Sequence, residues 1–283
     1  MHGKLNTIKN LAWALAIGVT LLALLLGLLF AAFTRYGGEM ERPQVQLGAQ
    51  QLESAAESTG PATAEETPVQ TATGTLITLP ETQDAGQEYL DSLTFLCDSA
   101  TIGLRDYGLL SQGLATTQVW GTQSGSLPAS SFADCVIRYP GDGSQISPGD
   151  AAMIAKPGIL VISIGQDGLA EVDQLRFTEN YEALIRQIRA SSPGTIIVCC
   201  SITTLGPSYT GTDGLTRDGI SWGNDWIQQV CKDTGAYFCD VSNAMRDSTN
   251  VMEENLLSAN GKTLNSAGLH TWLDYIRTHA VER

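Results

Sequence analysis

Apolar and polar positions divide the chain into three regimes. Leu11 to Phe33 is a run of 23 residues without a charged side chain. Residues 34–84 carry few large apolar residues and much Ala, Glu, Gln, Thr, Gly and Pro. From residue 85 to 283, short unbroken apolar runs alternate with amphipathic stretches. The runs at 93–97, 116–120, 159–164, 195–201 and 236–241 predict strands. The stretches at 100–112, 148–156, 176–191, 218–233 and 266–279 predict helices. Ser147 before Pro148 supplies an N-cap with proline at the first helical position. Apolar runs without alternation belong to strands covered on both faces, hence to a parallel sheet. Strand and helix in alternation predict an α/β protein, a three-layer α/β/α sandwich. Pro140-Gly141-Asp142-Gly143 reads as the turn of a small hairpin between the second and third strands. Thr75–Pro80 is expected to form a short edge element, and the loop 204–217 to overhang the sheet edge that carries residue 99.

The first two regimes fix the expected organisation. At about 1.5 Å per residue, a helix over residues 11–33 spans about 34 Å, enough for the hydrocarbon core of a bilayer. The run is too long for a cleaved signal peptide, and Ala31-Ala32-Phe33-Thr34-Arg35 is a poor cleavage site. It reads as a single transmembrane signal anchor behind a short cytoplasmic N-terminus, residues 1–10. Lys4 and Lys9 lie on one side and Arg35 and Arg42 on the other, so charge alone does not orient it. The acidic bulk and the linker favour an exported C-terminal domain at the plasma membrane. Residues 34–84 cannot bury enough surface to offset chain entropy and read as a disordered extracytoplasmic tether.

Charge and composition narrow the ligand classes. Thirty acidic against sixteen basic residues give a net charge of -14. Such a surface repels nucleic acid and anionic lipid headgroups, so neither is expected as a ligand. The three histidines are His2, His270 and His279, and no Cys/His cluster has metal-ligand spacing, so neither a metal nor a cofactor is expected. The six cysteines all follow the apolar run. Cys97, Cys199 and Cys200 sit in strand-like runs as small hydrophobes. An even count outside the cell permits disulfides, and Cys231 with Cys239 is the pair that would bridge most readily.

The candidate chemistry lies where the first strand meets a turn, at Phe95-Leu96-Cys97-Asp98-Ser99. A serine there stands at the C-terminal edge of a parallel sheet and at a helix N-terminus, where negative charge is stabilised. The same Asp-Ser pair also reads as a plain N-cap. The segment resembles the first block of the SGNH/GDSL hydrolases, Phe-x-Gly-Asp-Ser. Ile162-Ser163-Ile164-Gly165-Gln166-Asp167-Gly168 resembles the third block, Gly-x-Asn, and Asn260-Gly261-Lys262-Thr263-Leu264-Asn265 the last block, Asp-Gly-x-His-Leu-Asn. The resemblance runs roughly over residues 88–283. It implies a five-stranded, flavodoxin-like parallel sheet and a site for acyl esters, often on cell-envelope glycans.

By the same resemblance Ser99 is the nucleophile. Gly125, taken over Gly121, is the second-block glycine that donates to an oxyanion. Asp167 takes the place of the third-block asparagine, Asn260 that of the aspartate and Thr263 that of the histidine. Threonine has no basic nitrogen, and an ionised carboxylate accepts hydrogen bonds where the asparagine amide would donate them. No histidine lies within residues 258–268 to slide into register. His270 is seven residues past Thr263, about 10 Å further along a helix, and flanks an apolar stripe of Leu269, Trp272, Leu273 and Ile276. Glu171, Asp173, Asp213, Asp218 and Asp225 read as solvated loop acids. Trp226 and Trp272 read as core, and Trp120 and Trp222 as ligand contacts. The expectation is a membrane-anchored, catalytically degenerate homologue that binds an acylated envelope glycan or a protein partner. The alternative is a residual serine esterase in which Ser99 works with an unusual base.

Overall fold

The computed structural model describes residues 74–282. The apolar run 11–33, the N-terminal segment 1–10 and most of the expected tether lie outside them. Among the described residues no helix is long and apolar enough to cross a membrane.

The central sheet is built from β1 (Ile77–Thr78), β2 (Leu93–Cys97), β3 (Val119–Trp120), β6 (Ile159–Ser163), β7 (Ile196–Cys200) and β8 (Tyr237–Cys239). Its order is β1-β8-β7-β6-β2-β3, and every pairing is parallel. A separate antiparallel hairpin joins β4 (Ile137–Arg138) to β5 (Gln145–Ile146) around the expected turn. The helices are α1 (Gly86–Asp91), α2 (Gly103–Asp106), α3 (Pro148–Ala155), α4 (Gln174–Ser191), α5 (Arg217–Thr234) and α6 (Ser266–Thr278).

Period-two alternation explains why both sheet faces are dry. Leu96, Leu160, Ile162, Ile197 and Cys199 point to one face, where Ala151, Phe177, Tyr181, Ile188 and Ile227 of α3, α4 and α5 cover them. Phe95, Val161, Val198 and Cys200 point to the other, under Leu90, Leu104, Leu269 and Trp272 of α1, α2 and α6. Side-chain caps start the long helices, at Ser147 as the pattern predicts and at three further positions, of which Asp173 reads in the sequence as a solvated loop acid. Ser147 accepts from Asp150 N–H, Asp173 from Arg176 N–H, Thr216 from Gly219 N–H and Asn265 from Gly268 N–H.

Several expectations are corrected. The edge element expected at Thr75–Pro80 forms as Ile77–Thr78, and because it pairs with β8 the sheet has six strands rather than five and begins ahead of the expected domain start at 85. The helix expected over 100–112 shrinks to Gly103–Asp106, since Gly108 and Gly113 adopt φ of 63° and 57°, which ends helical backbone. The strand at 116–120 pairs only over Val119–Trp120, being an edge strand bound on one side by β2. Cys231 and Cys239 form no disulfide, and all six cysteines are free and buried. The two lie in the hydrophobic layers on opposite faces of the sheet.

Trp272 anchors α6 to the sheet. It is fully buried, with its ring 5.8 Å from that of Phe95. Trp272→Ala is therefore expected to lower the unfolding free energy by about 3–5 kcal/mol in urea titrations, and a loss below about 1 kcal/mol would contradict this role.

Candidate active site

The order of the strands reverses between β2 and β6, and open α/β sheets place their sites at this switch point. Asp98 and Ser99 follow β2, and Gly165, Gln166 and Asp167 follow β6. Asp98 N–H donates to Ser163 O at 3.1 Å, tying the two strand ends together.

Asp98 and Asp167 divide the free backbone donors between them. Asp98 is buried. Its Oδ1 accepts from Ala100 N–H at 3.0 Å, and its Oδ2 from Gly165 and Gln166 N–H at 2.9 Å each. Burial pushes its carboxyl up to about 7, and the charge of Asp167 adds to this against the pull of the three N–H donors. Asp167 is also buried. Its Oδ2 accepts from Ser99 N–H at 3.1 Å and Leu127 N–H at 2.9 Å. Its Oδ1 accepts the Ser99 hydroxyl at 2.5 Å. Two converging backbone donors beside a serine hydroxyl form the arrangement that holds an oxyanion in acyl transfer. Here a carboxylate oxygen of the protein occupies that position.

Gly125 does not supply the second donor. Its N–H closes a turn on Thr122 O at 3.2 Å, and φ of 80° suits glycine. The donor that meets Asp167 is Leu127 N–H, two residues on. The sequence carries no signal for it, because a backbone N–H leaves no mark in residue identity. Gln166 was also missed. Its amide donates to Lys262 O at 3.1 Å, while its buried Oε1 has no partner among the described residues.

The last block reaches the same edge. Leu264 N–H donates to Ala100 O at 3.2 Å, beside Ser99. Asn260 does not orient a base. Its Oδ1 accepts from Lys262 N–H, Thr263 N–H and the Thr263 hydroxyl, all within one turn. The loop after β7 closes over this turn. Gly206 N–H donates to Gly261 O at 2.9 Å, and Lys262 Nζ pairs with Asp213 at 2.8 Å. Among the described residues Ser99 Oγ bonds to Asp167 and to no imidazole. His270 is exposed on α6, and His279 stacks on Tyr275 at 3.7 Å at the far end of that helix.

The two tryptophans part company. Trp222 is 60 % exposed on α5 and open to a ligand. Trp120 is buried in the core, 1 % exposed, so it cannot stack on one. A tryptophan at a strand end reads the same in either role until its side of the sheet is known.

The chain belongs to the GDSL-like lipase/acylhydrolase family, whose model matches residues 95–270. No curated protein matches the chain. Among solved structures, a Streptococcus pneumonia protein described as a platelet activating factor is 15% identical, with a TM-score of 0.50 over 66% of this chain and 82% of its own. A lipolytic protein of the G-D-S-L family from Desulfitobacterium hafniense is 19% identical, with a TM-score of 0.45 over 67% of this chain and 99% of its own. A carbohydrate esterase of family 3 from Talaromyces cellulolyticus is 15% identical, at 0.44 over 65% and 93%. Such identities speak for the fold alone.

The buried acid pair makes stability depend on pH. Folded Asp98 keeps its proton where the unfolded chain has lost it, so its contribution is full below 3.8 and is lost as pH rises to about 7. Urea unfolding at pH 4 to 7 is expected to show a fall in stability with pH that Asp98→Asn makes shallower. An unchanged slope in the variant would refute the assignment.

Proposed function

We propose that this chain is a catalytically degenerate GDSL-family protein that uses the Ser99 edge to bind rather than to hydrolyse. The observation that carries the reading is the Asp167 carboxylate, which accepts both Ser99 N–H and Leu127 N–H. An acyl oxygen cannot occupy donors already bonded to a carboxylate, and the like charge would repel a developing oxyanion. Losing one oxyanion donor typically costs about 10²–10³ in rate. Thr263, in the position that the resemblance gives to the base, has no group that could take the serine proton near neutral pH. The ligand that family membership suggests is an acylated cell-envelope glycan, with a protein partner as the other candidate and Trp222 as an exposed contact. The uncharged run 11–33 supports a membrane anchor, and the acidic bulk and the linker support an extracytoplasmic domain.

A second reading rests on the 2.5 Å contact between Ser99 Oγ and Asp167 Oδ1. In it Asp167 itself takes the serine proton and leaves the two N–H donors when substrate enters, giving a slow esterase.

Fluorophosphonate labelling of the full chain, read by intact mass, separates the two. The first reading predicts no adduct and no p-nitrophenyl acetate turnover above that of Ser99→Ala. It also predicts that the combined Asp167→Asn, Asn260→Asp and Thr263→His variant gains turnover by about 10² or more, because a donor and a base are restored together. An adduct on the wild-type chain that is lost in both Ser99→Ala and Asp167→Asn would overturn it in favour of the second.

A further inference from the structure

Two arginines, Arg105 and Arg138, share a cavity away from Ser99, at the β3 edge. The cavity, of about 310 Å³, opens between α2, the segment before β3 and the β4–β5 hairpin. Arg105, Leu114, Arg138, Tyr139, Asp142 and Gly143 are among the residues that line it, and none of Ser99, Leu127, Asp167, Asn260 and Thr263 does. Its volume lies at the small end of the range of about 300–1,000 Å³ typical of small-ligand sites.

The walls are built rather than incidental. Arg138 leaves the hairpin next to β3, its own N–H donating to Gly121 O at 2.9 Å. Its guanidinium crosses the turn, where a Cβ on Gly143 would stand 3.8 Å from Nη2. The guanidinium has no hydrogen-bond or ion-pair partner among the described residues. Arg105 spends only Nε, on the neighbouring Asp106 at 2.8 Å. Asp106 is half exposed, and an exposed ion pair of this kind is weak and exchangeable. The carboxylate nearest Arg138 in sequence, Asp142, turns inward to its own loop and accepts Ser144 N–H at 2.9 Å. Tyr139 forms another wall. Its ring is held edge-on at 6.5 Å by buried Trp120, which thus acts on the cavity through Tyr139. Leu114, 76 % exposed, lies at the same cavity.

Guanidinium forks match the oxygens of carboxylates and phosphates. In a chain with thirty acids and sixteen bases, two arginines that share a cavity and lack buried acidic partners are a local exception to the prevailing charge. We propose that this cavity is an anion subsite for an acidic glycan, with Arg105 and Arg138 holding a phosphodiester or carboxylate and Tyr139 and Leu114 lying against the sugar. The subsite is independent of whether Ser99 is reactive.

Titration calorimetry of the full chain tests it with two probes, a glycerol phosphate oligomer and an oligogalacturonate, and a neutral chito-oligosaccharide as control. Capture of at least one acidic probe is expected, weakened about tenfold by Arg105→Gln or Arg138→Gln, the loss typical of a hydrogen bond to a charged group. Arg186→Gln, an exposed arginine on α4, should leave it unchanged, and Asp106→Asn, which frees Arg105, should tighten it. Preference between the probes tells phosphodiester from carboxylate. Failure of both acidic probes to bind would overturn the proposal. So would binding that Arg105→Gln and Arg138→Gln leave intact, or that the neutral oligosaccharide equals.

Discussion

The structure turns on how backbone N–H groups at the ends of two adjacent parallel strands are satisfied. Strands β2 and β6 end side by side, and the turns that follow present the N–H groups of Ser99, Ala100, Gly165 and Gln166, which Leu127 N–H joins from the segment after β3. Buried donors of this kind must be bonded. Asp98 takes those of Ala100, Gly165 and Gln166, and Asp167 takes those of Ser99 and Leu127. The first carboxylate locks the switch point together. On the proposed reading, the second fills the space in which an acyl hydrolase would hold a substrate oxygen. A carboxylate where the resemblance expects an amide at position 167 would then change more than one donor, since the side chain satisfies the N–H groups of both Ser99 and Leu127.

This arrangement has a cost in charge. Two buried acids stand close enough for Asp167 to help raise Asp98 towards neutrality. A protein that needed an open, electrophilic site would gain nothing from that pairing. A protein that needs only a rigid edge gains three strong acceptor contacts at Asp167. The loop after β7 adds to the rigidity, because the Lys262–Asp213 pair and the Gly206–Gly261 bond close it over the turn that carries Thr263. Arg105 and Arg138 stand apart from all of this, on an edge where, among the described residues, the only carboxylate paired with either is the half-exposed Asp106 beside Arg105.

Much of the fold was legible because burial on both faces writes itself as unbroken apolar runs, as at 159–163 and 196–200. The long amphipathic helices α4 and α5 were equally plain, though their caps at Asp173 and Thr216 were not. What escaped had physical reasons. The run 116–120 is longer than the two residues that pair, because an edge strand is held on one side alone, and the glycines at 108 and 113 stop a helix whose apolar spacing continues. The cysteines at 231 and 239 are near in sequence, but the sheet passes between their layers. In the site, the identities at 99, 167, 260 and 263 could be read directly. The partner of Asp167 could not, since Leu127 contributes only a backbone N–H whose direction depends on the path of residues 121–129. Trp120 was misplaced because nothing in its neighbours tells whether an edge strand's aromatic faces solvent or core.

The central claim is that Asp167 occupies the two donors beside Ser99. Amide proton shifts of Ser99 and Leu127 in the full chain test it most directly, compared between wild type and Asp167→Ala. A hydrogen bond to a carboxylate moves an amide proton downfield. The account predicts that both resonances lie downfield in the wild type and move upfield together in the variant, with the amides bonded to Asp98 little changed. Resonances of Ser99 and Leu127 that do not respond to the loss of Asp167 would contradict it.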